Sequence, residues 1–599
     1  MKKFSEAVDA GFAPAIRTLV LAVASTLGAV APVHAFEFDT GIPDVSTRWD
    51  NTFRYNLANR MQSPDPAILA SPNNDDGDRN FRNGIVTDRL DILSEFDFVF
   101  QKRYGFRLSG TAWYDDAYNH LENQNVSTSN HIVNGAPSLG LSDYTERYYR
   151  GPSGELLDAF VFGNFNVGDV GINVKAGRYN VFWGEALLNP IHALSYGQSS
   201  LDIGKLLATP GAEAKELFRP RQQVSAQIQA TDTLSFAGQY YLSWNQVRYP
   251  ESGSYLAPND AVLGGGESLY IGTNRALRGT DITPQKNGDW GLSARWSPEV
   301  LDATFGVYYR NTSDIQPQLI VVPGAAALPS ATCSALGFKP ISASTCYINP
   351  SAASPAQLKQ GNIGQYMASY ASGIDIIGLS FTKQVLGVSV SADLNYRQNM
   401  PLTSVPVQVL PAALAGKVPG AITALPQEGD TAGARGNTWH LVTDFAGIVP
   451  QNKVFDTANY VVEFVWSTWD KVTQNPTAFT GASTYTGIDK PTKAFLGTQV
   501  NFTPTWYQVL PGIDLSAPLS WSMGLVGNSA VTFGGNKGNG NFGIGLGADV
   551  QQKYRFDLKY VGYVGRIATN AADQVTSSAG LASLLRDRDY LALTFKTTF

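Results

Sequence analysis

Four histidines follow residue 35, namely His120, His131, His192 and His440, and they are the first candidates for proton transfer. Neither a Gly-x-Ser-x-Gly elbow nor a His-Glu-x-x-His pair accompanies them. A membrane-embedded lipid hydrolase could assemble its groups from distant positions, but histidines of loops or of a polar interior are the simpler reading, so no catalytic residue is assigned. "GNGNFG" at 538–543 matches the dinucleotide fingerprint, yet it leads into alternation at Phe542 to Val550 where a phosphate-binding helix should begin. The match is fortuitous, and Gly543, Gly545 and Gly547 instead leave room beside a wall for a loop or a solute. Cys333 and Cys346 are the only cysteines and stand thirteen residues apart in a polar stretch. Two thiols make a poor metal site, whereas one disulfide closing that loop would contribute about 3 kcal/mol. No metal and no cofactor is expected.

The richest set of chemistry-bearing residues lies between 181 and 221, where Glu185, Lys205, Lys215, Arg219 and Arg221 accompany "FWGEAL" and "PGAEAKELF". The second motif reads as a short helix started at Pro210. Fixed charges of both signs do no covalent work alone; in a confined space they select solutes by charge. Their meaning depends on what surrounds them.

The surrounding elements alternate with period two. The terminal "DYLALTFKTTF" puts Leu591, Leu593 and Phe595 on one face and Ala592, Thr594 and Lys596 on the other. Leu90, Ile92, Phe96 and Phe98 oppose Asp91, Glu95 and Asp97, and Ile544, Leu546 and Ala548 turn through "QQKY" into Phe556, Leu558 and Tyr560. Strands near 47, 87, 105, 157, 171, 223, 234, 289, 302, 371, 387, 438, 457, 493, 514, 540, 554 and 588 make eighteen, sixteen being the other even count that the boundaries allow. Short turns follow the even strands, and loops of about 20 to 60 residues follow the odd ones, the rhythm of a transmembrane antiparallel β-barrel with short periplasmic turns and long extracellular loops. An even count returns the last strand to the first, near Trp49, Phe53, Tyr55 and Leu57, and removes the free edge. Arg48, Asp50, Arg54, Arg107, Lys175, Arg295, Asp393, Arg397 and Lys559 fall on the polar parity, where a wet lumen would receive them. A soluble propeller or solenoid would need a regular repeat, which is absent.

The segment 181–221 is then the third long loop. In general porins that loop folds inward and narrows the channel, and by this analogy its charges face Asp91, Glu95 and Asp97 at a constriction. An outward, solvated loop is the other reading. Two further loops, 319–328 and 407–425, are unusually apolar; they either line a vestibule for hydrophobic solutes or pack on each other as a cap.

Lys2 and Lys3, an apolar run from Leu19 to Ala31 and small residues up to Ala35 read as a secretory signal cut after Ala35, leaving 36–599 as one barrel domain. Removing three basic and two acidic residues leaves 41 Lys and Arg against 48 Asp and Glu, or −7, which argues against a nucleic-acid partner.

"FEFDTGIPDVSTRWDNTFRYN", "KAGRYNVFWGEAL", "PGAEAKELFRPRQQVSAQ", "NYRQNMPL" and "PGIDLSAPLSW" together resemble the domain of unknown function 1302 family of proteobacterial exported proteins, over nearly the whole mature chain. The resemblance implies an outer-membrane location and the handling of hydrophobic small molecules beside an efflux-type transporter; it transfers no site residue. The resulting expectation is a porin-like outer-membrane channel of a Gram-negative envelope, not an enzyme, in contact with membrane lipid, lipopolysaccharide, the barrel assembly machinery and a small-molecule solute. The alternative is a loop-plugged barrel serving as adhesin, receptor or assembly scaffold.

Overall fold

The computed structural model describes residues 36–599 except Asp39 and Gln124. The expected leader and its cleavage after Ala35 lie outside the described residues.

Eighteen antiparallel strands close into one barrel. They are β1 Val45–Arg60, β2 Ile85–Phe100, β3 Tyr104–Asp115, β4 Ser153–Val167, β5 Val170–Tyr179, β6 Arg221–Gln229, β7 Leu234–Tyr241, β8 Trp290–Trp296, β9 Ala303–Thr312, β10 Ile374–Val385, β11 Val388–Pro401, β12 Arg435–Val449, β13 Thr457–Gln474, β14 Ala494–Leu510, β15 in two pieces (Ile513–Ser516 and Leu519–Val526), β16 Gly540–Val550, β17 Tyr554–Val564 and β18 Tyr590–Thr598. A further short strand, Phe36–Phe38, pairs with β1 beside the barrel seam. Every strand read from alternation is present.

The seam joins β1 to β18 in register from Thr52 opposite Thr598 to Arg60 opposite Tyr590, and Phe599 exchanges two further backbone hydrogen bonds with Asn51, at 2.7 and 2.9 Å. No backbone edge remains there to be satisfied in lipid. The alternation has the expected sense: Ile92, Leu292 and Leu546 stand 46, 56 and 64 % exposed on the outer face. Aromatic side chains ring both ends of this apolar belt. Trp296, Phe305 and Phe381 cluster near the short turns, and Trp290 with Tyr309 and Tyr396 with Trp439 lie toward the long loops. Such girdles sit at the two lipid–water interfaces.

Short turns close one end. In 101–103 and 551–553 the first two residues take left-handed φ near +55°, the conformation that matches the twist of a tight hairpin. Long loops occupy the other end, although 527–539, after β15, is shorter than the rhythm led one to expect.

The lumen differs from the water-filled interior implied by its polar parity. Arg54, Asp393 and Arg397 are at most 1 % exposed, because loop segments fold down onto them. The main apolar cluster also lies inside the barrel, with Trp113, Tyr148, Tyr149, Tyr255 and Tyr590 packed between wall and loops. Gly543, Gly545 and Gly547 do face inward, but neighbouring wall side chains fill the space: Lys559 and Ser520 at Gly543, Pro518 at Gly545, and Arg555, Asp557 and Ser516 at Gly547. They admit the wall's own long side chains instead of a loop or solute.

The two apolar loops pack on each other. Ile320 pairs with Val407, Val322 and Val409 join the same cluster, and Leu410 and Leu414 bury the cysteines. Cys333 and Cys346 are joined, tying the short helix Ser330–Ala335 to the strand Thr345–Tyr347.

Candidate functional site

The loop between β5 and β6 runs from Asn180 to Pro220 and folds into the barrel. Its peptide groups leave water and need partners, and inward-facing wall side chains supply them. Asp393 on β11 accepts from the amides of Glu185 and Ala186 at 2.8 and 3.2 Å, and Glu463 on β13 accepts from those of Leu187 and Leu188 at 3.1 and 2.8 Å. Arg310 on β9 donates to the carbonyls of Leu194 and Tyr196, and Arg397 on β11 to that of Ala193. The loop then returns toward the seam. Arg54 of β1 grips Glu216 with two bonds of 2.8 and 3.0 Å, and Lys596 of β18 reaches Glu213 at 2.6 Å. The loop thus crosses the lumen and is bolted to walls on opposite sides.

Two short helices shape the return. Ile203–Ala208 starts at Asp202, whose side chain accepts from the Lys205 amide at 2.8 Å. Ala214–Leu217 starts at Glu213 with a reciprocal capping box to Glu216, so the helix expected from Pro210 begins later and 210–212 form a turn. The first helix had no clear sequence signal, being a six-residue apolar piece.

The charges expected to oppose one another meet in part. Lys215 binds Glu95 and also Glu213, and Arg107 of β3 binds Glu95 as well. Asp97 meets only Arg107, at 3.7 Å, and stays half-open to the lumen. Asp91 is enclosed by Arg89 at 2.8 Å and Arg54 at 3.5 Å. Lys205 is buried with its ammonium 4.9 Å over the Trp113 ring and has no hydrogen-bond partner among the described residues. Burial lowers its pKa, opposed by Asp202 and Glu155. Glu185 pairs with Arg295 of β8 at 2.8 Å. Arg219 lies 3.7 Å from Glu155 and donates to the Gln246 carbonyl. Arg221 belongs to β6 itself, where Asp289, the Gly197 carbonyl and the face of Tyr241 enclose it away from the other charges. Burial resists ionisation of Glu213, yet Lys596 and Lys215 hold its carboxyl down at about 2.

In the sequence His192 and His440 read as histidines of a loop or a polar interior, which is where they lie, but nothing there gives them a partner or identifies Glu463 as an anchor. His192 Nε2 meets the Gly534 carbonyl at 2.7 Å, so that nitrogen carries hydrogen. His192 Nδ1 therefore accepts from His440 Nδ1, also at 2.7 Å, and His440 Nε2 accepts from the Thr438 hydroxyl at 2.8 Å. The chain of bonds is saturated, and all three side chains are at most 1 % exposed. His131 lies elsewhere, 2.7 Å from Glu267, and His120 is exposed beside Asp116. Only residue separations of two and a polar parity could have flagged Thr438 and His440 as inward-facing.

Cavities remain beside the loop and among the other long loops. One of about 510 Å³ lies between it and β3–β5, lined by Arg107, Phe160, Lys175, Phe182 and Leu188 among others. A second of about 610 Å³ lies on the long-loop side, between Val405, Val531, Phe533 and Leu581.

A closed even-stranded barrel with an apolar belt, aromatic girdles and an inward-folded loop defines a transmembrane β-barrel of the outer-membrane type. The chain belongs to the family described as "Protein of unknown function (DUF1302)", whose model matches residues 16–599. No curated protein matches it. Among solved structures it is similar to Acinetobacter baumannii OccAB2, at 10% identity over 92% of this chain and 98% of that one, with a TM-score of 0.39. It is similar also to OccAB3 of the same organism, at 8% identity, 92% and 99% coverage and a TM-score of 0.40. Pseudomonas aeruginosa OpdK, solved with vanillate, matches at 9% identity, 92% and 98% coverage and a TM-score of 0.37.

Proposed function

We propose that the protein is an outer-membrane channel for small solutes, with the loop 180–220 as its constriction and no covalent chemistry in the passage. The supporting observation is the loop itself: it is tied to opposite walls, carries Lys215 and Glu185 inward, and lines one cavity, while a second lies among the other long loops. Fixed charges at such a waist act on a passing solute with little screening. The apolar parts of both cavities extend the range to hydrophobic solutes. In this reading the belt contacts lipid and the loop end contacts lipopolysaccharide, while the short-turn end faces the periplasm, where an efflux-type transporter would hand over or receive cargo.

The density of the same ties favours a second reading, a closed barrel acting as adhesin, receptor or scaffold. Purified protein in a planar bilayer separates the two. Discrete single-channel conductance in KCl supports the channel, and intact, inserted barrels that pass no current support the closed form.

A further inference from the structure

We propose that the cavity beneath the loop binds an apolar monocarboxylate, with Lys175 receiving the carboxylate and the loop's apolar side chains receiving the body. This inference rests on the channel reading, because it assigns a class of solute to the proposed path.

Lys175 projects inward from β5, opposite Phe162 of β4. The other cations on the cavity wall are already engaged: Arg107 by Glu95, Asp97 and Asp158, and Lys215 by Glu95 and Glu213. Lys175 has no carboxylate within ion-pair distance among the described residues. Its ammonium lies instead 5.1 Å from the Phe160 ring centre and 5.9 Å from that of Tyr179. Those contacts are weak substitutes for a counter-ion. An ammonium held at an aromatic wall and short of an anion is a ready partner for a carboxylate.

The opposite side of the cavity is apolar. Phe182 and Phe218 pack together at 4.6 Å, and Leu187, Leu188 and Pro190 continue the surface. A ligand spanning the cavity would therefore place its charge at β5 and its hydrocarbon against the loop. The same wall limits the ligand's charge. Asp158 lines the same cavity and interacts electrostatically with both Arg107 and Lys175, so the site takes one carboxylate at most and a dicarboxylate or phosphate is disfavoured. The loop amides at 185–188 cannot serve as an anion site, since Asp393 and Glu463 already occupy them.

Equilibrium dialysis of radiolabelled benzoate against the mature protein in zwitterionic nanodiscs tests the site, with empty nanodiscs as the blank. Saturable benzoate binding is expected, at least tenfold weaker for Lys175→Met, within threefold of wild type for Lys175→Arg, and at least tenfold weaker when benzamide replaces benzoate. Resistance to SDS before boiling, checked for each variant, keeps misassembly out of the comparison. Equal binding of benzoate by wild type and Lys175→Met, equal binding of benzamide, or tighter binding of benzylamine would each overturn the proposal. Dialysis reads occupancy without current, so failure to conduct KCl would refute the channel and leave the site standing, whereas conductance without Lys175-dependent binding would do the reverse.

Discussion

At the scale of single residues the account turns on buried charges whose partners come from the loop. Arg54 is 1 % exposed and joins Glu216 and, more loosely, Asp91; Asp91 keeps Arg89, so removal of Arg54 strands the Glu216 carboxylate in a buried place. Breaking such a pair from one side costs about 3 to 5 kcal/mol. Arg54→Met should therefore loosen the return of the loop, raising hydrogen exchange across 209–218, and adding Glu216→Gln should restore part of the protection. Unchanged exchange in the single variant would contradict the anchoring role. His192 gives a pH-dependent case. Burial, with Arg397 nearby, holds its pKa down at about 3, against about 6.5 for a free imidazole. A released loop takes up a proton that the packed loop refuses. Packing is thus fully stabilised above about pH 6.5 and weakens as pH falls toward 3. After correction for intrinsic exchange chemistry, residues 190–198 should lose protection between pH 7 and 4.5 in wild type, and lose less in His192→Gln. Equal pH dependence in both would remove His192 from the explanation.

At the scale of elements, strands were legible and the loop's course was not. Lipid outside and polar groups inside impose period two directly, which is why β2, β16 and β18 could be read from Ile92, Leu546 and Leu593 against their neighbours. The loop obeys no such local rule. That residues 185–188 run to the far wall depends on Asp393 and Glu463, some 200 residues or more away, and neither carboxylate announces a backbone partner. The loop-filled part of the lumen is illegible for the same reason: inward charges such as Asp393 and Arg397 look as though they need water, when loop amides and carbonyls meet them. The third-loop analogy sets the loop charges, Lys215 among them, opposite Asp91, Glu95 and Asp97, and Lys215 does meet Glu95, whereas Arg221, assigned to the loop, lies in the wall. The cystine, by contrast, acts locally. It joins residues thirteen positions apart within one long loop, so its loss should remove about 3 kcal/mol from that segment alone. Reduction should make both thiols reactive and leave the barrel resistant to SDS; unfolding of the whole protein would show that the cap supports the wall.

At the scale of the whole molecule, a closed wall in lipid makes the path through the protein depend on the inner loop, and the central claim is that this loop sets what passes. Charges on an outer rim would be screened within about 8 to 10 Å at ordinary salt and would barely affect current. Charges at the waist are confined with the permeating ion. Lys215→Gln removes a positive group and leaves Glu95 and Glu213 less balanced, and Glu185→Gln leaves Arg295 unpaired. The decisive measurement is the reversal potential across a planar bilayer in a KCl gradient for wild type and these two variants. The account predicts opposite shifts, toward cation preference for Lys215→Gln and toward anion preference for Glu185→Gln; identical potentials in all three proteins would contradict it.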